Sequence, residues 1–213
     1  MTAPSYPVQL RLAGRRCLVV GAGAVAARKV DGLRRAGAVI TVVAPEAVPE
    51  IAEAHDLSWH ERAYVRGEAA SYALVVTATD STEVNSQVFR DAEAAGIFVN
   101  AADDNEHCSF TLPAVARRGR IQISVATDGR SPAIARWLRR RLEDSLDEQI
   151  DALVEMAADT RAELRDRTGT AEVDGWDDGL DAAQRHLADG DPVAAREALR
   201  RSVGLGLLDE VAS

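Results

Sequence analysis

The chain has 213 residues, 46% of them hydrophobic and 28% charged, and a formal net charge of -9. That balance excludes a disordered or collagen-like polymer, and no apolar run approaches the roughly 18 residues that a membrane-spanning helix needs. Two cysteines, Cys17 and Cys108, are too few for a disulfide scaffold.

The charge is unevenly divided. Residues 1–144 carry 18 basic and 17 acidic side chains, whereas residues 145–213 carry 7 basic and 17 acidic. An acidic tail argues against nucleic acid or an anionic membrane as partner. Of the 25 basic residues only Lys29 is a lysine, as a GC-rich genome would give. Met1 to Leu12 lacks the basic start and apolar stretch of a signal peptide, so the mature protein is expected to begin here and to work in the cytoplasm.

Short apolar runs alternate with helical patterns over the first hundred residues. Arg16–Val20 reads as a buried strand, followed by a Gly-rich turn and a helix to about Arg35. Ala38–Val43 predicts a second strand, Leu57–Glu61 a weaker one, and Ala73–Thr77 a buried one. A helix over Thr82 to Ala95 stops at Gly96, before a strand over Ile97–Asn100. Strand, helix, strand at this spacing implies a parallel sheet covered on both faces.

After Asn100 the rhythm changes. Cys108–Leu112 and Arg120–Ala126 read as extended segments, and Ser131-Pro132 starts an arginine-rich helix. From Leu146 the pattern is helical and acidic, broken at Thr168–Gly175 and at Gly190-Asp191-Pro192. The layout is α/β: a Rossmann-like parallel-sheet domain over 1–113, a small middle segment over 114–145 and an all-helical C-terminal domain over 146–213.

Gly21-Ala22-Gly23-Ala24-Val25-Ala26, between a strand and a helix, is the G-x-G-x-x-A form of the dinucleotide fingerprint. The first Gly makes the turn, the second lets the backbone approach a pyrophosphate, and Ala26 permits close packing of helix on sheet. Pro45-Glu46 follows the second strand, where an acid would hold the ribose of NAD, and no Arg or Lys lies between Ile40 and Ile51 to take a 2′-phosphate. NAD is therefore favoured over NADP. Ala78-Thr79-Asp80 falls at the strand end where open α/β sheets bind ligands, though the same residues also suit a helix cap.

Five stretches carry a resemblance. In order they are Gly21 to Lys29 (GAGAVAARK), Thr77 to Asp80 (TATD), Val99 to Asp103 (VNAAD), Cys108 to Pro113 (CSFTLP) and Gly129 to Arg136 (GRSPAIAR). Over residues 8–145 the chain resembles the precorrin-2 dehydrogenase family, the dehydrogenase and chelatase module of siroheme synthases, in its single-module form.

The resemblance implies NAD-dependent oxidation of precorrin-2 to sirohydrochlorin, with Fe²⁺ insertion in some members. It also implies a homodimer built through the middle segment. It implies that Gly21, Gly23, Ala24 and Val25 hold the pyrophosphate and that Pro45 and Glu46 lie along the ribose, with Thr79, Asp80 and Asn100 at the cofactor. Asp103 matches the essential aspartate of the family and would act as general base, with Asp104 raising its pKa by like-charge repulsion. Ser109 and Thr127 would meet the substrate, as would one or more of Arg117, Arg118, Arg120 and Arg130, since forked guanidinium groups suit a polycarboxylate.

Two departures stand out. Ala22 replaces the middle of three glycines, and Ala126-Thr127-Asp128-Gly129 stands where many relatives have Ser-Ser-Gly-Gly. No His or Cys spacing matches a structural metal site. His107-Cys108 would at most meet Fe²⁺ transiently. A nucleotide-sensing module without catalysis would need only Gly21–Ala26 and would leave the later motifs unexplained.

Overall fold

The computed structural model describes residues 5–102 and 104–206, so Asp103 lies outside the described residues. The chain divides into two compact units between Leu112 and Pro113.

The first unit is built on a five-stranded parallel sheet in the order β3-β2-β1-β4-β5. Its strands are β1 (Arg16–Val20), β2 (Val39–Ala44), β3 (Ser58–Glu61), β4 (Leu74–Thr77) and β5 (Phe98–Ala101). The helices are α1 (Ala24–Arg35), the single-turn α2 (Pro49–Ala52) and α3 (Thr82–Ala94).

Period-two alternation sends neighbouring strand residues to opposite faces. Cys17, Val19, Ile40, Val42, Leu74 and Val76 pack with Ala26, Val30 and Leu33 of α1. Leu18, Val20, Val43, Val75 and Val99 pack with Val88 and Ala92 of α3. Because both faces are covered, the central strands read as unbroken apolar runs. The strand order turns around at β1, which has β2 on one side and β4 on the other. This switch point opens the carboxyl edge of the sheet to a ligand.

In the second unit, β6 (Ala114–Arg118) and β7 (Ile121–Val125) form an antiparallel hairpin against which α4 (Pro132–Asp144) packs. Arg118 pairs with Ile121, leaving a two-residue loop whose Gly119 has φ +47°. Ser131 caps α4 by accepting the Ile134 N–H, with Pro132 in the first turn, as its sequence predicts. The acidic tail forms α5 (Glu148–Thr168), α6 (Trp176–Ala188) and α7 (Pro192–Ser202) around Leu153, Met156, Ala183, Ala195 and Leu199.

Two local expectations change. β6 has no counterpart in the sequence reading, because Ala114–Arg118 alternates weakly and ends in two arginines. Cys108–Leu112 is not a strand; it lies along the free edge of β5 and bonds to it partly through side chains. No helix among the described residues is long and apolar enough to cross a membrane.

Candidate active site

The loop after β1 is shaped by one glycine. Gly21 has φ +100°, and a Cβ there would lie 2.3 Å from the Ala78 carbonyl oxygen at the end of β4. Any side chain would force β1 and β4 apart, so the switch-point crevice requires this glycine. Gly21 N–H donates to Val43 O (2.9 Å) and Ala78 N–H to Val20 O (2.8 Å), locking three strand ends together.

Gly23 differs: a Cβ there would meet nothing within 4 Å. It is the N-cap of α1, no side chain caps that helix, and its first turn carries no acid. Uncapped N–H groups, the positive end of the helix dipole and open space above Gly23 fit a pyrophosphate. Ala24 is exposed and Val25 half-buried beside this space, while Ala26 is fully buried against the sheet.

Pro45 and Glu46 are exposed just past β2, and the segment that follows is tied to the glycine loop by Val48 N–H donating to Ala22 O (3.0 Å). The β4–α3 loop is set by Asn85, a buried polar residue on the inward face of α3. Its Oδ1 accepts the hydroxyls of Thr77 and Thr79, the latter at 2.8 Å, and its Nδ2 donates to Thr79 O at 2.9 Å. Ser81 caps α3 by accepting Val84 N–H, so the capping role weighed for Thr79-Asp80 falls to Ser81. Asp80 is exposed at the loop tip.

The loop after β5 is held differently. Val99 and Ala101 turn their N–H groups to the outer edge, where no strand follows. Ser109 Oγ accepts from Val99 N (2.8 Å) and Cys108 Sγ from Ala101 N (3.1 Å). Ser109 N–H returns a bond to Val99 O (2.9 Å). Asn100 is 5% exposed; its Nδ2 donates to Phe110 O (3.0 Å), and its Oδ1 accepts from Lys29 Nζ (3.3 Å). The polar groups of Asn100 and Ser109 are thus engaged in holding the loop.

Asp104 caps the short 3₁₀ turn Asn105–His107, accepting Glu106 N–H and His107 N–H. His107 Nδ1 donates to Asp104 Oδ2 (2.6 Å), and that bond holds the carboxyl below its ordinary range. His107 Nε2 lies 3.4 Å from Ser86 Oγ, and the ring stands edge-on to Phe89. Both ring nitrogens therefore have protein neighbours.

In the second unit the four arginines separate into two pairs. Arg118 Nε bonds Asp151 on α5 at 3.0 Å, and Arg120 Nε lies 3.4 Å from Glu155. Arg117 and Arg130 are exposed. Thr127 Oγ1 accepts Ser131 N–H (3.1 Å) and shapes the turn before α4.

Residues 8–114 match the family described as "Putative NAD(P)-binding", and residues 118–145 match "Sirohaem biosynthesis protein central". The chain belongs to this NAD(P)-binding family, whose model spans half of its length. It is 38% identical over 164 residues to the siroheme synthase of Nitrosococcus oceani, an alignment covering 76% of this chain and 35% of that protein. Against the siroheme synthase of Chromobacterium violaceum it is 36% identical over 215 residues, 96% of this chain and 45% of the relative. The chain thus spans less than half the length of these relatives. A solved structure named "SirC, precorrin-2 dehydrogenase" superposes with a TM-score of 0.66 and 26% identity, covering 93% of this chain and 98% of that one.

Within this family frame, the departure at Asp128 has a backbone meaning. Asp128 has φ +48° and Gly129 φ +75°. The position where the resemblance expects glycine is left-handed here, and aspartate is one of the few other residues that tolerates that geometry. Lys29 and Asn85 are the residues that sequence reasoning passed over. Asn85 left a signal, a polar side chain in helical register with Val88 and Ala92 on the buried stripe of α3.

Proposed function

We propose that this chain is a cytoplasmic, homodimeric NAD-dependent precorrin-2 dehydrogenase, converting precorrin-2 to sirohydrochlorin. The likeness to the precorrin-2 dehydrogenase structure, nearly end to end in both chains, carries the reading. The uncapped, acid-free start of α1 at the switch point supports it.

When bound, NAD⁺ supplies the hydride acceptor. The N–H groups of Ala24 and Val25, with Gly21 and Gly23, hold the pyrophosphate. Pro45 and Glu46 flank the ribose, with Thr79 and Asp80 at the rim of the crevice. Asn85 keeps Thr79 in place. Removing a hydride from one carbon of the reduced macrocycle also releases a proton, and Asp103 accepts it. Asp104, ionised and bonded to His107, closes the segment that carries Asp103. The hairpin and α4 region, residues 114–145, serves as the dimerisation and substrate segment. There Arg117 and Arg130, which make no ion pair in the described structure, meet the carboxylates of the tetrapyrrole; Arg118 and Arg120 hold α5 instead.

Anaerobic incubation with precorrin-2 and NAD⁺, followed through NADH and the tetrapyrrole spectrum, tests this. Stoichiometric NADH and sirohydrochlorin are expected, with slower turnover on NADP⁺. Addition of Fe²⁺ then reads whether metal insertion follows. NAD binding without any conversion would replace the dehydrogenase with a nucleotide-sensing module.

A further inference from the structure

β3 is a short, polar strand at one edge of the sheet, and Trp59 is the one of its residues that is not exposed. Its register partner on β2 is Val42, and it packs against the cluster that includes Val42, Ala44 and Ile51 on the α1 face. From there the indole reaches toward the carboxyl edge, where Nε1 donates to Ala44 O at 3.1 Å. Ala44 is the last residue of β2 and is 5% exposed. Arg62 N–H, one residue past the end of β3, turns back to His60 O (2.8 Å). A side chain of β3 thus serves the Ala44 carbonyl where the strand pairing stops.

That carbonyl belongs to the peptide that joins β2 to Pro45. Proline locks its own φ at about −65°, so once this peptide plane is fixed, little torsional freedom remains before Glu46. The far side of the segment is held as well, by Val48 N–H on Ala22 O (3.0 Å) in the glycine loop. Pro45, Glu46 and Ala47 span these two anchors, and Pro45 and Glu46 stay exposed. A segment fixed at both ends with its carboxylate open to solvent is preorganised for a ligand, because binding need not order it. A buried carbonyl that loses its donor is costly, so without the indole N–H the peptide gains a reason to turn.

We propose that Trp59 is a positioning residue for the adenosine half of NAD: it pins the peptide that launches Pro45-Glu46 and so sets the preference for NAD over NADP. The proposal rests on the reading of Glu46 as the ribose contact. A carboxylate held at the ribose accepts its 2′-hydroxyl and repels a 2′-phosphate. Both effects fade when the carboxylate can swing away. Trp59 acts through Glu46, so its effect falls on KM for the cofactor and not on kcat.

The test is the ratio of kcat/KM for NAD⁺ to that for NADP⁺ in precorrin-2 oxidation. Calorimetric affinities for the two cofactors give the same ratio without turnover. Trp59→Phe keeps a ring in the core and removes the donor. It is expected to lower the ratio about five-fold, through KM and affinity, with kcat unchanged. Glu46→Ala is expected to lower the ratio about tenfold. Adding Trp59→Phe to Glu46→Ala should lower it no further, since the carboxylate through which the indole works is gone. A Trp59→Phe ratio equal to wild type overturns the proposal, with or without a loss of thermal stability, and so does a fall confined to kcat. A further five-fold loss in the double variant overturns it too, because the indole would then act by another route. If Glu46→Ala leaves the ratio unchanged, the ribose reading of Glu46 fails; if the ratio responds to Glu46→Ala and not to Trp59→Phe, only the positioning role fails.

Discussion

Two loops meet the carboxyl edge of the same sheet and are held by different chemistry. The loop after β1 is made by backbone: a glycine at φ +100°, main-chain bonds to neighbouring strands, and a helix start with no side chain over it. The loop after β5 is made by side chains, since Cys108, Ser109, Asn100, Asp104 and His107 all bond to main chain or to one another. A backbone loop leaves its donors free for a ligand. A side-chain loop uses its donors on itself and can hold one residue in a fixed place.

The sharpest way to break this contrast is Asp103→Ala. If the second loop exists to present a base, this variant folds, binds NAD as wild type does, and loses about 10²- to 10⁴-fold in kcat. The first loop predicts the converse. Gly21→Ala sets a Cβ 2.3 Å from the Ala78 carbonyl oxygen at a φ that L residues rarely adopt, so stability should fall by roughly 3 kcal/mol. Denaturant unfolding and NAD titration would read it. Unchanged stability together with unchanged NAD affinity would mean that the β1–β4 crevice yields easily.

The difference between the loops also explains what the sequence discloses. Five parallel strands and the dinucleotide turn were readable because Leu18, Val42 and Val75 belong to runs buried on both faces, and because a glycine requirement appears as a glycine. The sheet edge at β5 was not readable in this way. Cys108 and Ser109 replace a sixth strand by offering Sγ and Oγ to two main-chain N–H groups, and no periodicity encodes that. The split among Arg117, Arg118, Arg120 and Arg130 was hidden as well, because it depends on the carboxylates of α5, more than thirty residues further along the chain.

Asn85 stands between the two loops in kind, a side chain that supports a backbone-built crevice. Thr77 is fully buried and its hydroxyl bonds Asn85. Asn85→Leu strands that hydroxyl and removes the hold of α3 on Thr79, leaving only its bonds to the Ser81 main chain, which should cost about 2 kcal/mol of stability and raise KM for NAD several-fold with kcat little changed. A kcat loss without a KM change would move Asn85 from cofactor positioning to the chemistry.

The smallest expected effect separates the loops by pH. The His107 bond holds the Asp104 carboxyl below its ordinary value of 3.8. A carboxyl depressed in the folded state stabilises that state above its unfolded pKa, and the contribution disappears as pH falls through the lower folded value. The segment from Ala101 to Phe110 should therefore loosen below pH 4, while the glycine loop, with no titrating group in its main-chain bonds, should not. Amide hydrogen exchange from pH 5 to pH 3, corrected for intrinsic rates, would resolve the two. Protection at Ser109 N–H should decline in that window and protection at Gly21 N–H should hold. Asp104→Asn should start from weaker protection at Ser109 and show a flatter pH dependence, because the group that responds to acid is gone. Equal decline in both loops would mean that acid opens the whole sheet edge at once and that the His107–Asp104 bond gives the second loop no stability of its own.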